Sequence, residues 1–395
     1  MRFAFKVLGI LLAAVIPALA DDSQKIADLE KRVAELESDR VAPEGESAGF
    51  LKNILLSGEG GINYFEGGSE SQFPESEFKV GEAKLFLDVQ LLEDVFFFTE
   101  LNIFMREEPN DNLRAGEIYI DAEDLVDDVL NLRAGRIDVP FGEEYLSRDA
   151  IDNPLISHSL SDIWAVDEGI EAYGKVGIVD YVLAVQNGSD PKSHDYNSDK
   201  AVVGRVGCEP APWLRMSVSA MRTGELDAED DYFSAIWFGN GFFRATGAPE
   251  TTETFEADLI EGDVAIRHER GHLKAAWGFA EYSDDDTAAD NSRDIDYGYV
   301  EAMVNVTKKL YAAARWSLID CGDGYPIVGN GDFDKYQFEV VTKELERITV
   351  GLGYRWTKDL VLKADYSHDD GDTAGGWSRD EEDLIAAELA FRFQP

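Results

Sequence analysis

The chain has 395 residues, with 36 Lys+Arg against 79 Asp+Glu and a formal net charge of −43. That balance argues against a nucleic-acid partner, because phosphate recognition needs clustered lysine and arginine. Two cysteines, Cys208 and Cys321, make no disulfide framework.

Residues 1–20 read as an export signal. Arg2 and Lys6 supply a positive start, Leu8 to Ile16 a short apolar run, and Pro17-Ala18-Leu19-Ala20 a small-residue cleavage site, so the mature chain is expected to begin at Asp21. Residues 21–40 read as a coiled-coil helix, with Ile26, Leu29, Val33 and Leu36 in a 3-4-3 spacing among charged residues. Two heptads are marginal alone, so this helix is expected to associate with identical copies, as a homotrimer. Residues 41–49, with Pro43, Gly45 and Gly49, read as a linker. After the leader, no stretch approaches the roughly 20 apolar residues that a transmembrane helix needs, but a membrane β-barrel gives a far weaker signal per strand.

Residues 50–395 carry a period of two. In 81–91, Gly81, Ala83, Leu85, Leu87, Val89 and Leu91 share one face, while Glu82, Lys84, Phe86, Asp88 and Gln90 share the other. In the last segment Ile385, Ala387, Leu389, Phe391 and Phe393 alternate against Glu388 and Arg392. Short turns near 93–95, 123–128, 177–180, 209–212, 269–271, 308–310 and 357–359 alternate with longer connections near 66–77, 107–113, 140–166, 189–200, 223–253, 283–294, 321–345 and 370–382. Aromatic residues such as Phe96, Tyr181, Trp213, Tyr311, Trp356 and Phe393 fall near strand ends. Short turns at one end, longer loops at the other and aromatic girdles predict an all-β, antiparallel transmembrane barrel in the outer membrane, in contact with its lipid. The parse gives sixteen strands. Two weaker segments, 232–238 and 333–343, would make eighteen. In the sixteen-strand parse Cys208 and Cys321 lie at opposite ends and are not bonded.

Enzyme-like strings fit this frame poorly. His268-Glu269-Arg270-Gly271-His272 matches H-E-x-x-H, but metalloprotease chemistry needs a helix to put both histidines on one face. Here the flanks alternate, so the string is expected in a tight turn. His158, between Ser157 and Ser159, lacks the strand–turn–helix context of a nucleophile elbow. Asp284-Asp285-Asp286 and Asp369, Asp370 and Asp372 lack EF-hand spacing and read as solvated outer loops. No catalytic residue, metal or cofactor is expected.

Leu132-Arg133-Ala134-Gly135-Arg136, Val139-Pro140-Phe141-Gly142, Asp167-Glu168-Gly169 and Tyr354-Arg355-Trp356 followed by Leu360 to Tyr366 resemble segments of the family of phosphate-selective porins O and P. The resemblance implies a passive diffusion channel for small hydrophilic solutes and ions, with the loop after the fifth strand folded into the lumen. Members selective for phosphate line the pore with arginine and lysine, whereas acidic residues dominate here. The expectation is therefore a cation-preferring or weakly selective pore. The acidity has a second reading, adaptation to a saline habitat.

The segment 140–166 is then the constriction. Its candidate residues are Glu143, Glu144, Arg148, Asp149, Asp152, His158 and Asp162, with Arg133 and Arg136 leading into it. Candidates for the inward faces are Glu82, Lys84, Asp88, Glu100, Arg106, Glu117, Asp121, Glu171, Lys175, Arg215, Glu261, Asp263, Arg267, Glu301, Arg315, Arg355, Lys363, Asp365, Glu388 and Arg392.

Overall fold

In a computed structural model of the protein, the structure describes residues 53–394 apart from 106–112, 189–194, 196–197, 230–250, 287, 289–290, 332–334 and 336–339. The leader, the coiled-coil segment, the linker at 41–49, Arg106 and segment 232–238 lie outside the described residues.

The strands are β1 (Ile54–Gly67), β2 (Glu77–Leu92), β3 (Val95–Met105), β4 (Arg114–Asp128), β5 (Leu130–Asp138), β6 (Val166–Val176), β7 (Val179–Gln186), β8 (Ala201–Ala211), β9 (Leu214–Arg222), the two-residue β10 (Leu226–Asp227), β11 (Thr254–His268), β12 (Gly271–Asp284), β13 (Arg293–Asn305), β14 (Leu310–Tyr325), β15 (Thr342–Thr357), β16 (Leu360–Thr373) and β17 (Leu384–Phe393). Every neighbouring pair is antiparallel, and β1 pairs with both β2 and β17, which closes the barrel. β9 pairs directly with β11, and β14 directly with β15. Apart from the stub β10, the wall therefore holds sixteen strands, not eighteen.

The turns are as the sequence predicts, with one difference. The segment 123–128 first continues β4 as a bulged strand and turns only at its end, where Val126 pairs with Leu130 and Val129 N–H donates to Val126 O at 3.0 Å. Asp124 and Asp127 take φ of 53° and 41° there, a region that aspartate tolerates better than most residues. The Asp124 N–H donates to Asn131 Oδ1 at 2.8 Å.

Strand length carries the main surprise. β14 and β15 have 16 residues each, whereas crossing a bilayer takes about 9–11. Along β11, the outward residues change from Ile266, Val264 and Ile260 to Asp258 and Glu256, while the inward ones change from Asp263 and Glu261 to Leu259, Ala257 and Phe255. Polarity thus inverts beyond the apolar band. At the long-loop end the wall behaves as a water-soluble sheet with an apolar interior. That interior is a cluster joining Val139, Phe141, Leu160 and Ile163 of the β5–β6 connection, the third long loop of the barrel, to Phe255, Leu259, Tyr282, Ile295, Tyr297, Ile319, Tyr325 and Leu345 of the wall. Phe141 is 1% exposed, and burying such a side chain contributes about 1.5–3 kcal/mol.

Both cysteines are free thiols. Cys321 is buried in this cluster. Cys208 sits opposite Val179, near the short-turn end.

Candidate functional site: the loop-crossed lumen

The connection from β5 to β6 crosses the barrel because wall side chains hold its backbone. Gly142 N–H donates to Ser219 Oγ at 3.0 Å, and Arg205 Nη1 donates to Gly142 O at 2.5 Å. Lys274 Nζ reaches Ser147 Oγ at 2.9 Å. Arg315 Nη1 donates to Ser157 O at 2.6 Å, and Leu160 N–H donates to Ser317 Oγ at 3.1 Å. Ile156 N–H donates to Asp365 Oδ2 at 2.7 Å, while Lys363 Nζ reaches the carbonyls of Ala150 and Leu155 at 2.6 and 3.1 Å. On the far wall, Ala150 N–H donates to Glu82 Oε1 at 2.8 Å. Hydrogen bonds to charged groups contribute about 1.5–3 kcal/mol each, so this set fixes the loop firmly.

Several expected pore-lining residues are therefore anchors. Arg315 and Lys363 are buried and pair with Glu301 and Glu388 as well as with the loop. Asp365 is buried against loop N–H groups. Glu388 also accepts from Asn63 Nδ2 at 3.0 Å. Glu261 and Asp263 lie behind the loop, where Asp263 accepts from Ser217 Oγ at 3.1 Å.

The loop's own charges are also committed. Arg215 Nε donates to Glu143 at 2.7 Å while its other nitrogens hold Asp180. Asp149 pairs with Lys84 at 2.9 Å and Asp152 with Arg392 at 2.5 Å; Arg392 also binds Glu59 at 2.9 Å. Asp162 takes Arg148 at 2.7 Å and His158 at 2.9 Å. Burial alone would push Asp162 up, but the charges of Arg148 and His158 outweigh it and hold its carboxyl well below the usual range. Glu144 accepts from Ser159 N–H and Oγ, at 3.0 and 2.5 Å. Burial first, then the charge of Asp162, pushes Glu144 up to about 7.

Two cavities flank the loop. One is lined by Glu82, Lys84, Glu100, Arg148, His158 and Trp164. Arg148 stacks over the Trp164 ring at 4.6 Å. The second, about 360 Å³, is lined by Glu117, Arg133, Asp138, Tyr145, Glu171 and Tyr173. Arg133 binds Asp121 at 2.9 Å and Glu171 at 3.3 Å, with its guanidinium 4.3 Å from the Tyr119 ring centre and 5.1 Å from that of Tyr173.

Arg136 is a correction. It lies three residues from Arg133, and an odd spacing along a strand puts two side chains on opposite faces. Its register partners are Ile118 and Glu168, on the face that carries the exposed Ile120 and Ile170. It binds Glu168 at 2.6 Å there, outside the constriction. Among the others, Asp88 stands opposite Phe98 and Lys175 opposite Asp180. Arg267 binds Glu209 at 3.0 Å, and Arg355 covers the Tyr311 ring at 4.3 Å.

The H-E-x-x-H string forms the β11–β12 hairpin, as expected. Gly271 permits it: φ is 149°, and a Cβ there would lie 1.8 Å from Met303 O. His272 Nε2 is 2.8 Å from Glu301, and among the described residues no group of three acidic, histidine or cysteine side chains could hold a metal. Asp369, expected in a solvated loop, is fully buried and binds Arg347 at 2.8 Å.

Sequence reasoning did not single out Asp138, Asn102, Arg205, Glu59 or the Tyr119 and Tyr173 rings. Alternation would put Asp138 on the face of Arg136, two residues before it, so the sequence gives no signal for its place on the inner cavity beside Glu117.

No family model and no curated protein matches the sequence. Solved structures do. The outer membrane channel DcaP of Acinetobacter baumannii is similar at 12% identity, covering 86% of this chain and 96% of that one, with a TM-score of 0.57. The anion-selective porin from Comamonas acidovorans is similar at 12% identity, covering 87% and 98%, with a TM-score of 0.54. The trimer form of OmpT, an outer membrane protein of Vibrio cholerae, is similar at 10% identity, covering 86% and 99%, with a TM-score of 0.55. The chain has the fold of outer-membrane channels.

Proposed function

We propose that the protein is an outer-membrane porin, a passive diffusion channel for small hydrophilic solutes and ions, cation-preferring or weakly selective and working as a homotrimer. The observation that carries this reading is the closed barrel crossed by a loop that wall arginines, lysines and serines hold in the lumen. Such a loop narrows the passage without sealing it by covalent chemistry, so solutes pass by size and by the field of the inward charges. The similarity, over 86% of this chain, to an outer membrane channel and to the trimer form of an outer membrane protein supports the location and the assembly.

The ion preference rests on what is left after pairing. The wall cations that an anion channel would present, Arg205, Arg215, Arg315 and Lys363, are bound to the loop or to carboxylates. Acidic groups remain on the opposite wall. Purified protein in planar lipid bilayers should give discrete conductance steps, with a zero-current potential of cation-preferring sign in a KCl gradient. Silence across independent preparations would overturn the channel, and a strong anion preference would overturn the selectivity.

A further inference from the structure

We propose that Glu59 keeps a proton at neutral pH and donates it to Asp149, and that this hydrogen bond is a latch: it fastens the third loop to the closing seam of the barrel, and alkali releases it. The inference goes beyond the channel reading above and uses that reading only in the electrical part of its test.

The setting is a row of three residues in register. Glu59 on β1 stands between Arg392 on β17 and Lys84 on β2. Both cations also reach into the loop. Arg392 Nη2 lies 2.9 Å from Glu59, 2.5 Å from Asp152 and 3.9 Å from Asp149. Lys84 Nζ lies 2.9 Å from Asp149 and 3.9 Å from Glu82. Four carboxyl groups, from β1, β2 and the loop, thus share two cations. Glu388, further along β17, is matched separately by Lys363.

Two observations put a proton on Glu59. Its Oε2 accepts from Arg392 Nε, but its Oε1 is buried and has no hydrogen-bond donor. The side chain within hydrogen-bond reach of Glu59 is that of Asp149, and an ionised carboxylate can only accept. Two carboxylates that share a site hold one proton between them. With that proton on Oε1, the orphaned oxygen becomes a donor, Asp149 gains a hydrogen bond, and the excess of negative charge falls by one. Glu59 is the member that holds it. It is 2% exposed, whereas the Asp149 side chain is 37% exposed and keeps access to water. Loss of the proton sets Glu59 against Asp149 and Asp152. The loop then keeps its anchors on Arg315 and Ser317 but is pushed from the seam at these two aspartates.

The test compares the wild type with Glu59→Gln, which keeps the shape and gives Asp149 a permanent donor. Open-channel noise of the wild type should rise as the pH is taken from neutral to alkaline, while the variant stays quiet. Any effect of Glu144 is common to both proteins. In the infrared, the difference between wild type and variant at neutral pH should contain the carbonyl stretch of a protonated carboxyl, and this band should fade over the same alkaline range. Equal noise in the two proteins at alkaline pH, or a difference spectrum without that band, would overturn the latch. A protein that forms no channels would overturn the channel reading instead, and the infrared band would still decide where the proton is.

Discussion

Lys363 on β16 holds its Nζ 2.6 Å from Ala150 O and 3.1 Å from Leu155 O while it pairs with Glu388. One buried ammonium thus ties the third loop to the last strand. Lys363→Met should release the loop and leave Glu388 without its cation. Removing one member of a buried pair typically costs about 3–5 kcal/mol. The expected result is a lower unfolding temperature of the detergent-solubilised barrel and a larger, noisier single-channel conductance. A quiet channel of unchanged size would show that the loop is held elsewhere.

The pH response of the loop follows from Glu144. Its carboxyl is raised from 4.5 to about 7, by burial first and then by Asp162. A raised folded value means that the protonated form is the one that suits the folded loop. This contribution is complete below pH 4.5 and is lost as pH rises through about 7. Asp162 has the opposite sign: its folded value lies below 3.8, so its contribution holds above that pH and is lost as acid is added. Loop order, read by protease accessibility or hydrogen exchange, should fall between pH 5 and 8 in the wild type, and Glu144→Gln should flatten that fall.

Salt should stabilise this barrel. Asp296, Asp320, Glu344 and Asp372 stand directly opposite one another on β13 to β16, as do Asp258, Glu281 and Asp294 on β11 to β13. Like charges directly opposite are destabilising. At about 1 M salt the screening length falls to about 3 Å, so the unfolding temperature should rise from low to high NaCl. Replacing Asp320 and Glu344 by asparagine and glutamine should shrink that rise.

Assembly is tested by deleting Asp21 to Arg40. The seam of Ile26, Leu29, Val33 and Leu36 predicts a weaker oligomer and an intact barrel. Crosslinking or mass photometry of the truncated protein would show monomers at concentrations where the full chain is oligomeric. An equally stable oligomer would free the seam from that role.

Period two and loop length make β17 and the third loop readable from sequence, because each depends on neighbours along the chain. The state of the charges is not readable in that way. Asp149 meets Lys84 across 65 residues, and Asp152 meets Arg392 across 240. Glu143 and Glu144 therefore look like free pore acids in the sequence, yet one is neutralised by Arg215 and the other is buried on Ser159. The bulge at Gly116 and Glu117, where two residues oppose Glu100, leaves no mark in the sequence, although both glutamates are legible there as inward. The extended strand ends mislead for a different reason. In β11 both faces keep their period while their polarities exchange, and a pattern reader takes the inward Phe255 and Leu259 for lipid-facing residues.

The seam between β1 and β17 bears on how the protein is made. Gly58 pairs with Phe393, and Glu59 binds Arg392 across 333 residues of chain. Until the final strand is available, both β1 and the growing end present unpaired N–H and C=O groups, which are templates for wrong pairing. Contacts so distant in sequence also form slowly. The chain must therefore spend its life before closure under escort, and a protein cut short by only the last ten residues would be a sheet with two open edges.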